Sequence, residues 1–354
     1  MLRDLFRVKP VEAAPRVDAG EPVEGSLQGE AQLKRTLTAK HLVLLGLGAV
    51  IGAGIFVLTG QAAANHAGPA IMLSFVIAGI ACALAGLCYA EFAALLPVSG
   101  SAYSYSYATL GEFVAWFIGW CLVLEYLFAS STVAVGWSGY LVSFLTSTLG
   151  IPFPAELAGA PIAWENGGFV RTANIFNLPA VVIVAAVSGL CYVGITQSAF
   201  VNGIVVAIKV TVIAAFLGVG IFYVDPANWT PFIPENTGPG QFGMDGVFRA
   251  ATVVFFAYIG FDAVSTAAGE AKNPQRDMPI GILGSLALCT VIYIAVCAVL
   301  TGMTPFTELN TAKPVATALE PYAELAWLKT AVEIGAIAGL SSVILVMLMA
   351  QPRI

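Results

Sequence analysis

Charged side chains are scarce in this sequence. Only 10% of its 354 residues are Asp, Glu, Lys or Arg, whereas 58% are hydrophobic and the mean hydropathy is +0.87. A soluble domain carries about 25% charged residues, and even a large one leaves roughly a quarter of its chain surface in water. The composition therefore excludes a soluble protein. The basic residues are few and scattered, which excludes nucleic-acid binding as well.

Histidine and paired cysteines are also lacking. The chain has two histidines, and its six cysteines all lie in apolar runs without a CxxC or Cys/His spacing. Metal sites usually show such residues at short spacing, and a nucleophile–base pair most often uses histidine. The sequence therefore predicts no enzyme activity, no metal and no cofactor. The cysteines are interpreted as small buried hydrophobic residues.

Long apolar runs are abundant instead. A bilayer core about 30 Å thick needs about 20 apolar residues per helix. Runs of about that length or longer predict an all-α, polytopic membrane protein with about eight transmembrane helices, at residues 41–59, 69–92, 112–149, 178–196, 201–224, 247–269, 279–302 and 331–354. The third run is too long for one upright span, which predicts a long tilted helix with a possible break.

The ends of these runs predict the orientation of the chain. Residues 1–40 are polar and lack an apolar core run, so they are predicted to be a disordered cytoplasmic tail preceding a transmembrane domain at 41–354. With that tail inside, basic residues near span ends favour the cytoplasmic side over the opposite side, which holds only Arg171, Arg249, Lys313 and Lys329. We expect a multi-pass protein of the cell (plasma or inner) membrane with a cytoplasmic N-terminus.

Two of the predicted spans contain helix-breaking residues near their middle. The first has Gly52-Ala53-Gly54, and the sixth has Gly260 followed closely by the carboxylate of Asp262. Glycine costs about 1 kcal/mol relative to alanine inside a helix. Close helix packing explains Gly48 and Gly52 equally well. However, interrupted spans at corresponding positions of two halves point to a transporter site.

The chemistry of such breaks suits a zwitterion. A half-helix beginning near Ala53 and Gly54 would present unpaired amides and the positive end of its dipole to a carboxylate. Free carbonyls at Val50 and around Phe256, Ala257 and Ile259 would accept an α-ammonium. The two breaks therefore predict an amino-acid site.

Several motifs resemble the amino acid–polyamine–organocation family. They are Gly52-Ala53-Gly54-Ile55-Phe56, Glu91 with 97–103, 256–262 and Glu270 through Pro279. The resemblance covers about residues 30 to 354 and is closest to the cationic-amino-acid-transporter-like branch. It implies an inverted five-plus-five repeat of the leucine-transporter-like fold, with a first repeat at about 41–224 and an incomplete second repeat at about 247–354. Because family members usually have at least twelve spans, the chain is expected to be truncated.

The same resemblance implies the site residues. Substrate would be bound by residues of both breaks, with Phe256 as a gate: Val50, Ile51, Gly52, Ala53, Gly54, Ile55, Phe256, Ala257, Ile259 and Gly260. Lys209, deep in the fifth span, would take the place of a coupling sodium ion and carry a proton, with Ser341 and Ser342 as neighbours. Snorkelling to the interface is the alternative for this lysine.

Other residues within spans carry less specific predictions. Glu125 and Asp262 could each bind a proton or a cationic side chain, or form a structural hydrogen bond. Glu333 lies near a span end and is predicted to be interfacial, and Tyr126 and Trp137 are interpreted as packing or interface residues.

The function predicted from these features is secondary active, proton-coupled uptake of an amino acid by alternating access. Its partners would be the amino acid, protons and membrane lipids. An amino-acid sensor or an inactive truncated fragment on the same fold is the alternative. A channel is less favoured, because no carbonyl filter loop or ring of charges stands out.

Overall fold

The chain is almost entirely helical in a computed structural model that describes residues 8, 35–97, 100–165, 168–193 and 199–351. Its α-helices are α1 (Ala39–Val50), α2 (Thr59–Ala62), α3 (Ile71–Leu95), α4 (Ser101–Thr109), α5 (Glu112–Ser143), α6 (Leu178–Val193), α7 (Ala199–Gly220), α8 (Gly243–Val254), α9 (Pro274–Met303), α10 (Pro314–Thr317) and α11 (Ala326–Ala350). The prediction of an all-α protein is confirmed. Most of the predicted tail 1–40, and the ends of the fourth and eighth predicted spans, lie outside the described residues.

Six helical stretches in this part of the chain are long and apolar enough to cross a membrane: Gly54–Leu95, Glu112–Thr148, Gly203–Tyr223, Gly243–Glu270, Pro274–Met303 and Ala323–Ala350. Two shorter apolar helices, Ala39–Val50 and Leu178–Tyr192, accompany them. The stretch Gly54–Leu95 includes the end of the first predicted span and the whole of the second. It is counted as one stretch because only a 3₁₀ turn at Gly68–Ala70 separates the helical residues before it from α3. The eight predicted runs thus all correspond to helices.

The third predicted span is one long helix. α5 continues through a π-helical turn at Phe144–Thr148, and the described backbone shows no break in it. A short antiparallel hairpin of β1 (Ile162–Glu165) and β2 (Gly168–Arg171) lies in the loop that follows, where the sequence predicted no strand.

Two groups of helices meet at the centre of the bundle. α9 packs against α3 and α1, and α11 packs against α5 and α7. Their facing sides form one buried hydrophobic cluster, whereas large apolar side chains such as Leu84, Trp116 and Phe128 are exposed on the outside. An exterior of this kind suits hydrocarbon, because apolar side chains face the lipid while the backbone groups bond within the protein. α1 and α8 both end inside the bundle, at Val50 and Val254.

Candidate functional site at two broken helices

The first break lies where α1 ends. Val50 is the last helical residue, and Ile51 has extended backbone (φ −71°, ψ 97°). A π-helical turn then begins at Gly54, and the amide of Phe56 bonds to the carbonyl oxygen of Gly52 at 3.3 Å. The first amides of a helix have no acceptor within it. The amides of residues 52–54 therefore start a new helix, with its positive end at the break.

The second break lies between α8 and a 3₁₀ helix at Asp262–Glu270. A 3₁₀ turn at Phe255–Tyr258 leads into Ile259, which is not helical (φ −53°, ψ 133°), and then into Gly260 at φ +112°. A side chain is strained at that φ. An ideal Cβ on Gly260 would also lie 2.9 Å from the carbonyl oxygen of Ala49. Glycine is therefore required here both by conformation and by the approach of α1.

The two breaks touch at Gly54 and Ala257, and residues of both line a small lumen beside this contact. An ideal Cβ on Gly54 would overlap the Cβ of Ala257 and lie 2.6 Å from its Cα. The lumen is lined by Ala49, Val50, Gly52, Ala53, Gly54, Ala129, Val133, Phe256, Ala257, Ile259, Val343 and Met347. Seven of the ten predicted substrate residues are thus brought together: Val50, Gly52, Ala53, Gly54, Phe256, Ala257 and Ile259. That they bind substrate stays a prediction.

The other three predicted substrate residues lie beside the lumen. Ile51 is fully buried, and Gly260 packs against α1 as described. Ile55 lines a separate apolar cavity with Phe56, Phe216 and Val332. None of the three lines the lumen.

Tyr293 of α9 joins the two breaks. Its hydroxyl lies 2.8 Å from the carbonyl oxygen of Val50 and 3.0 Å from that of Ala257, and the residue is fully buried. The expectation of free carbonyls is therefore wrong for Val50 and Ala257, and it is wrong for Phe256 as well, whose carbonyl oxygen accepts a hydrogen bond from the amide of Ile259 at 3.1 Å. However, a phenol has one hydrogen and a carbonyl oxygen has two lone pairs, so the pair can still accept hydrogen bonds from an ammonium group. Nothing in the apolar run around Tyr293 marked this residue.

Lys209 of α7 binds the end of α1. The residue is fully buried, and its ammonium donates to the carbonyl oxygens of Gly48 (2.8 Å) and Ile51 (3.0 Å). Its stem lies against Gly339 of α11. The last carbonyls of a helix lack intrahelical partners and carry its negative end, which a cation neutralises. Snorkelling to the interface does not describe this side chain.

The two predicted serine neighbours of Lys209 have other partners. Ser341 accepts a hydrogen bond from the indole of Trp137 at 2.9 Å, and Ser342 donates to the carbonyl oxygen of Gly339 at 2.9 Å. Ser342 is thus one turn from the lysine stem. The role of both serines in proton coupling stays a prediction, and Trp137 is a hydrogen-bonding residue as well as a packing one.

Asp262 follows the second break and is only 4% exposed. Its Oδ2 accepts a hydrogen bond from the hydroxyl of Tyr126 at 2.5 Å, and its Oδ1 accepts one from the amide of Gly260 at 3.2 Å. Glu125, half-buried, is close enough to interact with it electrostatically. The interpretation of Tyr126 as a packing or interface residue is incomplete, because its partner Asp262 is distant in the chain and cannot be identified from α5 alone.

Glu333 is buried, so the prediction of an interfacial position is wrong. The residue is fully covered, and its carboxylate accepts hydrogen bonds from the hydroxyls of Ser143 (2.5 Å) and Thr148 (2.8 Å). The ammonium of Lys313 donates to Ser143 at 2.9 Å and to Glu320 at 2.6 Å. The end of α5 thus encloses a carboxylate that lies near the start of α11.

Comparison with known proteins agrees with this arrangement. A family model described as amino acid permease matches residues 37–354. A methylthioribose transporter of Bacillus subtilis (strain 168) is 48% identical over 354 residues, covering 100% of this chain and 71% of that protein. The branched-chain amino acid permease BcaP of the same organism is 50% identical over 327 residues, covering 92% of this chain and 67% of that protein.

A more distant relative and a solved structure extend the comparison. The vacuolar cationic amino acid transporter 2 of Arabidopsis thaliana is 39% identical over 353 residues, and the chain spans 52% of its length. These relatives are named as carriers and not as enzymes. MhsT, solved in complex with L-phenylalanine, superposes with a TM-score of 0.64 at 17% identity, over 91% of this chain and 74% of that one. The chain therefore has the predicted leucine-transporter-like fold and is a multi-pass membrane protein.

Proposed function

Because the chain belongs to the amino acid permease family, we propose that it carries an amino acid across the membrane by alternating access. The observation that carries this proposal is the contact of Gly54 with Ala257, which sets the amides of one break opposite the carbonyls of the other. Non-helical backbone at membrane depth is tolerated only where it is buried in protein or lines a cavity. A binding site for a zwitterion would explain why both helices are broken at this position.

The substrate carboxylate would bind the amides at Gly52, Ala53 and Gly54. These groups begin a helix, so they combine unpaired donors with the positive end of a dipole. The α-ammonium would bind the carbonyl side, at Val50 and at residues 256–259, where the hydroxyl of Tyr293 leaves acceptor capacity. Phe256, half-buried at the edge of the lumen, would act as the gate.

Lys209 would carry the coupling proton. Hydrogen bonds from an ionised group are roughly twice as strong as neutral ones, so loss of the proton would weaken the link between α7 and the end of α1. Of the two carbonyls that Lys209 holds, that of Ile51 belongs to the same peptide group as the amide of Gly52, the first of the substrate amides. Proton release and movement of α1 would therefore be coupled through residues 48–52, with Glu125 and Asp262 as further proton sites.

We expect the N-terminus to lie in the cytoplasm, and we expect coupling to protons that enter the cell to drive uptake. The sequence supports this orientation through the excess of basic residues at that side. Accessibility of a single added cysteine at either end to an impermeant reagent would test it.

The transport proposal is tested in proteoliposomes with an imposed pH gradient and labelled amino acids, with binding measured in parallel by thermal shift. We expect the wild type to accumulate substrate on the side of the membrane towards which the imposed gradient drives protons. Lys209→Met, which keeps the length of the side chain, should still bind substrate but lose accumulation at least about tenfold. Lys313→Met is the matched control, since that lysine lies outside the breaks.

Three outcomes would contradict parts of the proposal. Full proton dependence in Lys209→Met would remove that residue from coupling. Binding by the wild type without any flux would favour the sensor. Stabilisation by methylthioribose, and by none of the amino acids, would overturn amino-acid transport itself.

A further inference from the structure

We propose that the substrate of this site has an uncharged, apolar side chain, held between one wall of α5 and one wall of α11. The inference rests on the proposed function and narrows it to a substrate class. The names of the relatives differ on this point, because they include a branched-chain amino acid permease, cationic amino acid transporters and a transporter for a thioether sugar. The lining of the lumen decides between these chemistries.

The backbone breaks form one part of the lining, and side chains of other helices form the rest. The amides at 52–54 and the carbonyls at 50 and 256–259 occupy the side of the lumen that would hold the two charged groups of a zwitterion. The remaining lining comes from Ala49 of α1, from Ala129 and Val133 of α5 and from Val343 and Met347 of α11. Residues four apart lie on one face of a helix, so each pair forms a continuous strip facing the lumen.

The α11 strip begins directly at the first break. An ideal Cβ on Gly52 would lie 3.0 Å from a methyl carbon of Val343. A substrate bound by the amides of residues 52–54 would therefore place its side chain in contact with Val343 and, one turn along, with Met347. Methionine adapts to different shapes, which favours acceptance of several apolar side chains over strict selection of one.

Charged and hydroxyl side chains do not line the lumen among the described residues. The oxygens of Asp262 already accept hydrogen bonds from Tyr126 and Gly260. Glu125 lies one turn from Ala129 on the same face of α5, beside Asp262 and outside the lining. A cationic side chain in the lumen would thus be desolvated without a partner in contact, which is costly.

The sharpest test compares norleucine with lysine, which have the same carbon chain and differ in the terminal ammonium. Full-length protein in detergent is titrated with each ligand in a thermal-shift assay. A ligand that binds only the folded state raises the melting temperature, and the increase grows with the ratio of ligand concentration to dissociation constant. We expect norleucine, leucine and methionine to stabilise the protein. Lysine should need a concentration at least about fiftyfold higher, from the cost of a charge in an apolar environment.

A matched pair of variants tests the wall itself. Val343→Asp adds a carboxylate to the strip, and Val343→Asn adds the same shape without the charge. Val343→Asp should shift the preference towards lysine relative to Val343→Asn. If the first variant does not fold, Met347→Glu and Met347→Gln apply the same comparison one turn along the strip, and the preference for lysine should be higher in Met347→Glu than in Met347→Gln.

The outcomes separate this inference from the proposed function. Lysine or arginine binding as well as norleucine, or better, would overturn the apolar subsite while leaving amino-acid binding intact. Tight binding of aspartate or glutamate would overturn it in the same way. A protein stabilised by none of these amino acids would contradict both proposals at once.

Discussion

Replacing Gly54 with alanine tests whether the two breaks form one close-packed site. The added methyl group would overlap the Cβ of Ala257 and lie 2.6 Å from its Cα, a backbone atom that cannot rotate away. Overpacking of this kind costs about 1–3 kcal/mol, because the backbone itself must shift. The shift would separate the amides from the carbonyls that face them.

The loss should appear mainly in binding. If about 2 kcal/mol of the strain is relieved by moving the breaks apart, the affinity for the best amino acid falls roughly thirtyfold. Ligand titrations in the thermal-shift assay measure this change. The melting temperature without ligand should fall only modestly.

Gly218 provides the matched control. It lies within α7, and an ideal Cβ there meets nothing within 4 Å. Gly218→Ala should therefore leave binding unchanged and raise stability slightly, since alanine is favoured by about 1 kcal/mol inside a helix.

A second substitution separates the close contact from general damage. Ala257→Gly removes the methyl group that Gly54→Ala would strike, so the double variant should recover part of the lost affinity. Residues in contact show such non-additivity. Binding by Gly54→Ala within twofold of the wild type would refute the close approach of the breaks as the basis of the site.

Two further predictions concern buried polar groups that the sequence did not reveal. Tyr293→Phe should lower amino-acid affinity about tenfold, because it removes the hydroxyl that holds the two carbonyls, while the ring and the fold remain. Tyr258→Phe, whose hydroxyl donates away from the lumen, is its control, and equal losses in both variants would contradict a role at the site. Glu333→Ala should lower the free energy of unfolding by about 1–3 kcal/mol, because it leaves buried hydroxyls without their acceptor. Glu333→Gln should cost less, and an unchanged melting temperature in both Glu333 variants would contradict the prediction.

The sequence alone was sufficient for the class of protein and for the location of the breaks. Apolar runs of membrane-spanning length identify helices whatever their packing, because a bilayer requires them. Glycine at position 260 marks the second break in the sequence. The structure gives the reason, because the backbone there has φ +112°, which other residues rarely adopt. Lys209 stood out because charge is rare inside a span, and its burial against the end of α1 agrees with that reasoning.

Only the tertiary structure decided which side chains meet. A helix that is apolar on every side has no periodic pattern to tell which face points to a lumen and which to lipid. Ala129, Val133, Val343 and Met347 could therefore not be distinguished from their neighbours by sequence. The partners of Tyr293, Asp262 and Glu333 belong to helices far away in the chain, and their hydrogen bonds depend on how the bundle packs. The sequence thus determined that the protein lies in a membrane and where two of its spans are broken. Which side chains line the site depends on how each helix is rotated about its axis in the bundle.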